Sequence, residues 1–572
     1  MPSLSNGMTD RRLKDIFEWI EHHELALPEL QRPSVWADHK IPDLLSSVYH
    51  DFPFGIFLLW TPKQNERIHC RPFVFQNDGA TNGYDTKRRA THYLIDGQQR
   101  LTSFYRTLRS KPTLTVAFNL KSQEFSLRDA KIKASLKNPK ESCWYELNEL
   151  LRLDTPGKAD LMQTHESIGK EHLEDVLGKL SRLKPDDIKI SFYNIQEKSY
   201  ADVCEIFERI NLGTPVTKSQ IYLGKLSTKY QGVVSEVEAY LEKMRTKNGC
   251  KFDLDVFLSS LSVVATEYDV SKFEANYLEN EDENINAADV KRDIKKTQGA
   301  LEKALRFVET HLYIDTMKYF RSERTLTCLS FLFANAPGYM AKEINRRRIA
   351  YWTALALLTE YHSDNRRFVQ DLAIIRECDG SDVAQALLKK MKSYDGLKRP
   401  VNWKLSLLSD LESPISRNNV LFCFLYAMVR WNGARSFFSR TLIRAGKVAN
   451  ADEVDDVETS PDDDATIHEH HIYPVSRLRQ ESEESEHDWI TKEWIYDLAN
   501  FTFLTGHDNT HLKDPEIDYV PRLARDMRKR HLINPRKYRS GDYERFLQDR
   551  RKLIKSGLED FLGELERLAR LR

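Results

Sequence analysis

Apolar positions follow two periods through the first 235 or so residues. "IFLLW" (56–60), "THYLID" (91–96), "TLTVAFNL" (113–120) and "IKISFYNI" (188–195) are short runs rich in β-branched and aromatic residues, and they predict strands. "LKDIFEWIEHH" (13–23), "IPDLLSSVYH" (41–50) and "QQRLTSFYRTL" (98–108) space their apolar residues as helices do. From 236 to 445 the strand period disappears. "ADVKRDIKKTQGALEKALRFVETHL", "RRRIAYWTALALLTEY" and "DVAQALLKKMKSY" predict amphipathic or buried helices, and with them a helical domain. Residues 451–466, acidic and holding Pro461, read as an exposed loop. A small unit follows, and the last stretch, "DYERFLQDRRKLIKSGLEDFLGELERLARL", predicts one long amphipathic helix or a pair. The expectation is an α+β multidomain chain divided at 1–235, 236–445 and 446–572, with no internal repeat.

Composition narrows the class without naming a partner. A chain of 572 residues exceeds one ordinary core, and 41% hydrophobic with 30% charged residues suits a globular protein. Lys+Arg and Asp+Glu are both 86, so only their distribution speaks. The stretch "DEVDDVETSPDDDATIHE" (452–469) is strongly acidic, and 521–572 is basic, with "RDMRKRH" and "NPRKYRS". Such segregation marks nucleic-acid contact, although solvated helix faces produce it too. The seven cysteines (Cys70, Cys143, Cys204, Cys250, Cys328, Cys378, Cys423) include no CxxC, which argues against a thiolate zinc site and a disulfide scaffold. The N-terminus lacks a signal peptide's apolar core, and "NVLFCFLYAMV" falls short of the ~20 residues that span a bilayer. A cytoplasmic protein with no membrane partner is expected.

The chemistry concentrates in "HEHHIYPVSRL" (468–478) and "LANFTFLTGHDNTHLKD" (498–514). A one-metal phosphodiesterase needs a neutral imidazole to take a proton from water and a divalent ion to stabilise charge on the phosphate. Of the adjacent histidines, His470 can bind metal while His471 acts as base. Neighbours on a regular strand face opposite ways, so both serve one site only if the strand ends or bends, which Pro474 favours. A second ligand must come from elsewhere, and Asn500 and Asn509, nine residues apart, are on offer. His468, His507 and His511 are spare ligands. With His468 beside His470, three nitrogens would favour zinc; an asparagine ligand without thiolates favours Mg²⁺ or Mn²⁺.

This order, His-His-x-x-Pro, then Asn, then a second Asn, resembles the HNH (ββα-metal) nuclease motif. The resemblance implies His470 and Asn509 as metal ligands, His471 as general base and Asn500 as the asparagine bracing the loop between the strands. Lys513, a helical turn beyond Asn509, or His511 would then reach the scissile phosphate. The wording "HIYP…LANFTFLT…N" looks most like the C-terminal HNH domain of GmrSD-type modification-dependent (type IV) restriction endonucleases, over roughly 440–560.

Three N-terminal stretches stand in order: "LPELQRPSVW" (27–36), "YLIDGQQRLTSF" (93–104) and "IFERINLGTPVT" (206–217). In the second, a strand meets a helix through Asp96-Gly97. Glycine there lets a ligand approach the backbone, the helix start offers N–H groups to an anion, and Gln98, Gln99 and Arg100 add donors. The plainer reading has Asp96 capping the helix and Arg100 solvated. In the third, Arg209, Asn211 and Thr214 surround Gly213. Walker A is absent. Together the three resemble the N-terminal domain of the same GmrSD-like family, over about 10–230. That implies a ParB-like α/β fold and NTP binding or hydrolysis that regulates cleavage. Gln31, Arg32, Asp96, Gly97, Gln98, Gln99, Arg100, Arg209 and Asn211 are carried over as the nucleotide site. GTP, ATP, CTP and UTP are not distinguished. Trp36 and Tyr49 are either base or sugar contacts or core aromatics.

In the helical segment, Arg346, Arg347 and Arg348 either touch phosphates or form a solvated face. In the tail, Arg528, Lys529 and Arg530, followed by Arg536, Lys537 and Arg539, suit sequence-independent DNA contact. The expected protein is an NTP-regulated, modification-dependent DNA endonuclease of anti-phage defence. Its partners would be double-stranded, modified phage DNA and nucleotide, and a homodimer is compatible with it. The alternatives are an NTP-hydrolysing DNA-binding switch and a nonspecific nuclease or nickase toxin.

Overall fold

The computed structural model describes residues 7–28, 38–63, 68, 70–71, 90–210, 218–230, 232–248, 253–266, 286–377, 382–393, 414–416, 419–444, 447–449, 466–476, 478, 492–512, 519–534 and 543–570. They form two units, Met1–Glu236 and Val237–Arg572. The expected boundary at 235/236 lies beside the division, and the one at 445/446 falls inside the second unit.

The first unit is mixed α/β. Its six-stranded sheet runs β1 (Gly7–Arg12), β9 (Lys189–Gln196), β3 (Phe57–Thr61), β5 (His92–Asp96), β2 (Leu25–Pro28), β4 (Cys70–Arg71). Pairing along that order alternates antiparallel and parallel. A separate three-stranded sheet orders β7 (Phe125–Leu127), β6 (Val116–Asn119) and β8 (Trp144–Glu146). The strands expected at 56–60, 91–96, 113–120 and 188–195 lie within one to three residues of β3, β5, β6 and β9. In the large sheet β3 and β5 bury all but their last residue because the centre of the sheet is covered on both faces, whereas β9 leaves Lys189 and Tyr193 exposed. Phe57, Leu59 and Leu94 pack with α1 (Leu13–Glu21), α2 (Ile41–Tyr49) and α3 (Gln98–Leu108). Leu58, Trp60 and Tyr93 pack on the other side with Val203 and Cys204 of the helix Tyr200–Ile210. β1, "GMTDRR", shows no apolar run because it is a polar strand, paired among the described residues with β9 alone.

The second unit begins with helices and contains no strand among its described residues before β10 (Lys447–Ala449). The longest of these helices, Ala287–Leu312, starts at a capping box in which the Asn286 and Asp289 side chains bond each other's backbone N–H. The tail forms one continuous helix, Tyr543–Ala569, rather than a pair. It packs against the helices Glu343–Leu358 and Val420–Trp431. β10 pairs in parallel with β11 (Thr466–His471), which pairs antiparallel with β12 (Phe501–Thr505). The helix Gly506–His511 follows β12 directly. Phe501 and Phe503 of β12 seat on Phe422 at ring-centroid distances of 5.5 Å, and Phe503 also meets Tyr426 at 4.9 Å. Among the described residues no helix is long and apolar enough to cross a membrane.

Candidate active site

The strand pair and its helix bring the sequence-separated histidine and asparagine stretches together. In register, His470 opposes Thr502 and His471 opposes Phe501, so both histidines occupy the last two positions of β11. His470 Nδ1 lies 2.8 Å from Asn509 Oδ1 on the short helix, and Nε2 lies 2.8 Å from the Tyr519 hydroxyl. His471 is half-buried, with its ring 4.2 Å from Phe501 and 5.4 Å from Tyr496. The strand ends at His471, and Asn500 accounts for how it ends. Its Oδ1 accepts from Tyr473 N at 2.8 Å, and its Nδ2 donates to the carbonyls of Tyr473 and Ile495, each at 3.2 Å. Its own carbonyl accepts from Ile472 N at 2.8 Å. Fully buried, Asn500 holds the turn after the histidines against the start of β12.

Burial lowers the His470 pKa to about 4, with the nearby Arg550 guanidinium adding to the effect and the Asn509 bond opposing it. The ring is therefore neutral near pH 7, the form that offers a lone pair to a metal. Tyr519 O–H donates to the Ile472 carbonyl at 3.2 Å. With the proton on Nδ1, His470 donates to Asn509 Oδ1, the bond that raises its pKa, and Nε2 accepts from the Tyr519 hydroxyl; with the proton on Nε2, the Nδ1 lone pair faces Asn509 Oδ1, as two metal ligands would. Neighbouring corners of an octahedron with bonds of about 2.1 Å lie about 3 Å apart, so this pair suits a divalent cation. Among the described residues no group of three His, Cys, Asp or Glu side chains could hold a metal. His468 is buried, and His507, half-exposed, contacts Asp508 at 3.3 Å. The side chain of His511 and all of Lys513 lie outside the described residues.

Several residues that support this site carry no signal in spacing. Asp497 accepts from Ile415 N at 2.7 Å, Ala499 N at 2.8 Å and Arg551 Nη2 at 2.7 Å. Arg550 Nη1 donates to the Ala499 carbonyl at 2.7 Å, one residue before Asn500. His531 bonds Thr502 Oγ1 at 2.7 Å and the Arg435 carbonyl at 2.9 Å. Arg530 Nη1 donates to the Gly433 carbonyl at 2.6 Å, while Lys529 is exposed and Arg528 half-buried. Arg536, Lys537 and Arg539 lie outside the described residues.

In the first unit, Asp96, Gly97, Gln98, Gln99 and Arg100 gather where β5 meets α3. No side chain caps α3; Asp96 pairs with Arg100 at 3.0 Å instead of capping. Arg100 is mostly covered. It donates to the carbonyls of Phe54 at 2.7 Å and Ile56 at 3.1 Å and lies over the Phe57 ring at 4.6 Å. In this arrangement its guanidinium ties the 54–56 loop to the helix. Arg209 is exposed and pairs with Glu205. Gln31, Arg32, Trp36, Asn211, Gly213 and Thr214 lie outside the described residues, so the three stretches are not seen together. Tyr49 is a core aromatic: fully buried, it packs on Phe118 and donates to Gln123 Oε1 at 2.8 Å. In the second unit Arg346 and Arg347 pair with Glu343, and Arg348 pairs with Asp382.

The fold of the first unit has a counterpart among known families. Residues 13–227 match the family described as the GmrSD restriction endonuclease, N-terminal domain. The match runs from the first residue of α1 into the helix Lys218–Lys229 and contains the whole Asp96–Arg100 turn. The match lies within the first unit, and the histidine site lies beyond it. No curated protein matches the chain.

Proposed function

We propose that this protein is a GmrSD-type, modification-dependent DNA endonuclease of phage defence. It cuts phosphodiesters at an HNH site in the second unit, under the control of a nucleotide bound by a ParB-like first unit. The observation that carries the reading is the His470–Asn509 pair, set at the end of an antiparallel strand pair with Asn500 bracing the intervening turn. The GmrSD restriction endonuclease match in the first unit supports the same class independently.

His470 and Asn509 would hold Mg²⁺ or Mn²⁺, with Zn²⁺ less favoured. When bound, the ion supplies positive charge to the scissile phosphate and the departing 3′ oxygen. His471 takes the proton from the attacking water. The aromatic contacts of Phe501 and Tyr496 hold its ring at the strand end, and Asn500 fixes the backbone from which it projects. The products carry 5′-phosphate and 3′-hydroxyl ends. In the first unit, the uncapped start of α3 faces the anion, with Gln98 and Gln99 beside it. The Arg100 guanidinium reaches a phosphate only if it leaves the 54–56 carbonyls.

The test is cleavage of unmodified, glucosylated-hydroxymethylcytosine and phosphorothioate duplexes with Mg²⁺ or Mn²⁺, with and without GTP, ATP, CTP or UTP. The expected outcome is one modified duplex cut by wild type, with His471→Ala at least about a hundredfold slower while still binding DNA. Cleavage that survives His471→Ala, or nucleotide turnover without any cleavage, would refute the nuclease assignment.

A further inference from the structure

The loop from Arg435 to Leu442 rises beside the His470–Asn509 pair and combines a rigid base with an exposed apolar tip. Arg435 and Leu442 form a bridge, and Ser436 N donates to the Thr441 carbonyl at 2.8 Å, closing a short hairpin-like turn. Arg440 takes a left-handed backbone conformation at φ 56°. Below the tip the loop is anchored to the candidate active site. Asp508, adjacent to Asn509 and fully buried, accepts from Phe438 N at 2.6 Å and from Ser439 N at 3.0 Å. Ser436 Oγ bonds Thr505 Oγ1 at 3.0 Å and accepts from Thr505 N at 3.1 Å. The buried Phe437 ring lies 6.3 Å from His470, 5.7 Å from Tyr519 and 4.8 Å from His531.

The tip does the opposite of burying itself. At the tip Phe438 is 55% exposed, and Ser439, Arg440 and Thr441 are exposed as well. The Asp508 carboxylate, by holding the N–H groups of Phe438 and Ser439, fixes the backbone from which the exposed ring projects. Its surroundings are basic. Arg435 and Arg440 stand on the loop, and Arg522, Arg525 and Lys529 are exposed on the segment Val520–Arg530, whose one carboxylate is Asp526. That segment is tied to the base of the loop: Arg530 Nη1 reaches the Gly433 carbonyl and His531 Nε2 the Arg435 carbonyl.

We infer that the 435–442 loop is a DNA-engaging finger, on which Phe438 wedges against a base step next to the cut while the surrounding arginines and Lys529 hold the phosphates. The inference rests on the nuclease reading above and adds a specific contact to it. Phosphate neutralisation alone asks only for charge. An exposed aromatic ring on an anchored backbone amid that charge suits a duplex whose bases it can partly unstack, as apolar wedges do when they kink DNA.

The experiment uses the full chain as His471→Ala, with and without Phe438→Ala or Phe438→Trp. The probes are 30-base-pair duplexes, unmodified, glucosylated-hydroxymethylcytosine or phosphorothioate, with 2-aminopurine placed in turn along the cut site mapped with wild type. We expect 2-aminopurine fluorescence to rise within about two base steps of the cut. Phe438→Ala should lose that rise and bind about tenfold more weakly, the loss of one base–aromatic stack, and Phe438→Trp should keep both. Phe438 is exposed, so an unchanged thermal midpoint shows that the variants fold. Equal affinity and an equal fluorescence profile for Phe438→Ala would overturn the finger while leaving the nuclease intact. Failure to bind any of the three duplexes, or preference for RNA, would instead strike the nuclease reading and take the finger with it.

Discussion

Gly97 shows how much one residue position can decide. Its φ of +94° lies in the region that favours glycine, and a Cβ there would sit 2.3 Å from Cδ1 of the Phe57 ring. Gly55 faces a similar restriction, since its Cβ would meet Arg100 Nη1 at 2.2 Å. Two glycines and one arginine thus interlock the 54–56 loop with the turn between β5 and α3. Gly97→Ala should cost about 2–4 kcal/mol, from left-handed strain together with overpacking against a ring that has no room to move. Urea unfolding of the full chain, with the other eight tryptophans replaced by phenylalanine so that fluorescence reports the buried Trp60 of the first unit, measures it; a loss under about 1 kcal/mol would mean that Phe57 gives way. The tight turn itself was legible in the DGQQR stretch. The engagement of Arg100 with the carbonyls of Phe54 and Ile56 was not, because those acceptors are 46 and 44 residues away. Asn500 is the opposite case: the HNH resemblance implied a brace there, and its side-chain bonds all run to backbone within 27 residues in sequence.

At the scale of an element, the C-terminal helix carries the most information. Tyr543–Ala569 reads as an amphipathic surface helix, and Arg550-Arg551 would fall on its solvated side by charge alone. Both are buried. Arg550 spends its donors on the carbonyls of Ala499, His531 and Leu532, and burial lowers its pKa to about 9. Arg551 pairs with Asp497, whose carboxylate also caps the Leu498–Asn500 turn. The helix therefore grips the segment from which Asn500 projects. Asp497→Asn should destabilise the second unit by about 3–5 kcal/mol, because it strands a buried guanidinium and sets an amide among three donors. Replacing Asp497 and Arg551 together by apolar residues should recover much of that loss. Differential scanning calorimetry of the single and double variants decides it; equal losses in the two would show that the pair is not coupled. The Arg346–Arg348 cluster illustrates the reverse. As a sequence it suited either phosphate contact or a solvated face, and as a structure all three side chains meet carboxylates, Glu343 or Asp382.

For the whole molecule, buried histidines set the response to acid. Burial lowers His92 in the first unit, and His470 and His531 in the second, to about 4 each. An unfolded histidine titrates near 6.5. Between these values the unfolded chain holds more protons than the folded one, so stability is complete above about pH 6.5 and declines as pH falls toward 4. Urea midpoints should therefore drop between pH 7 and pH 5, with unfolding linked to the uptake of up to one proton per histidine. His531→Gln should flatten the slope for the second unit; an unchanged slope would locate the proton uptake elsewhere.

What the sequence determined by itself is local or periodic. Apolar strand runs, helices with apolar stripes and the glycine turn before α3 can be read without coordinates, because each depends on neighbours a few residues away; the HHxxP–Asn–Asn order is legible as a motif although its parts lie far apart in sequence. The GmrSD-type resemblance of the N-terminal stretches was also legible there, and the family match to 13–227 agrees with it. Only the tertiary structure decided the rest. It chose Tyr519 as the second partner of His470, sank Arg550 beneath Asn500, and set the Phe438 loop on Asp508. Those choices join groups 49, 51 and 70 residues apart. They turn on which donors and acceptors burial removes from water, and a pattern of residue types along the chain does not carry that.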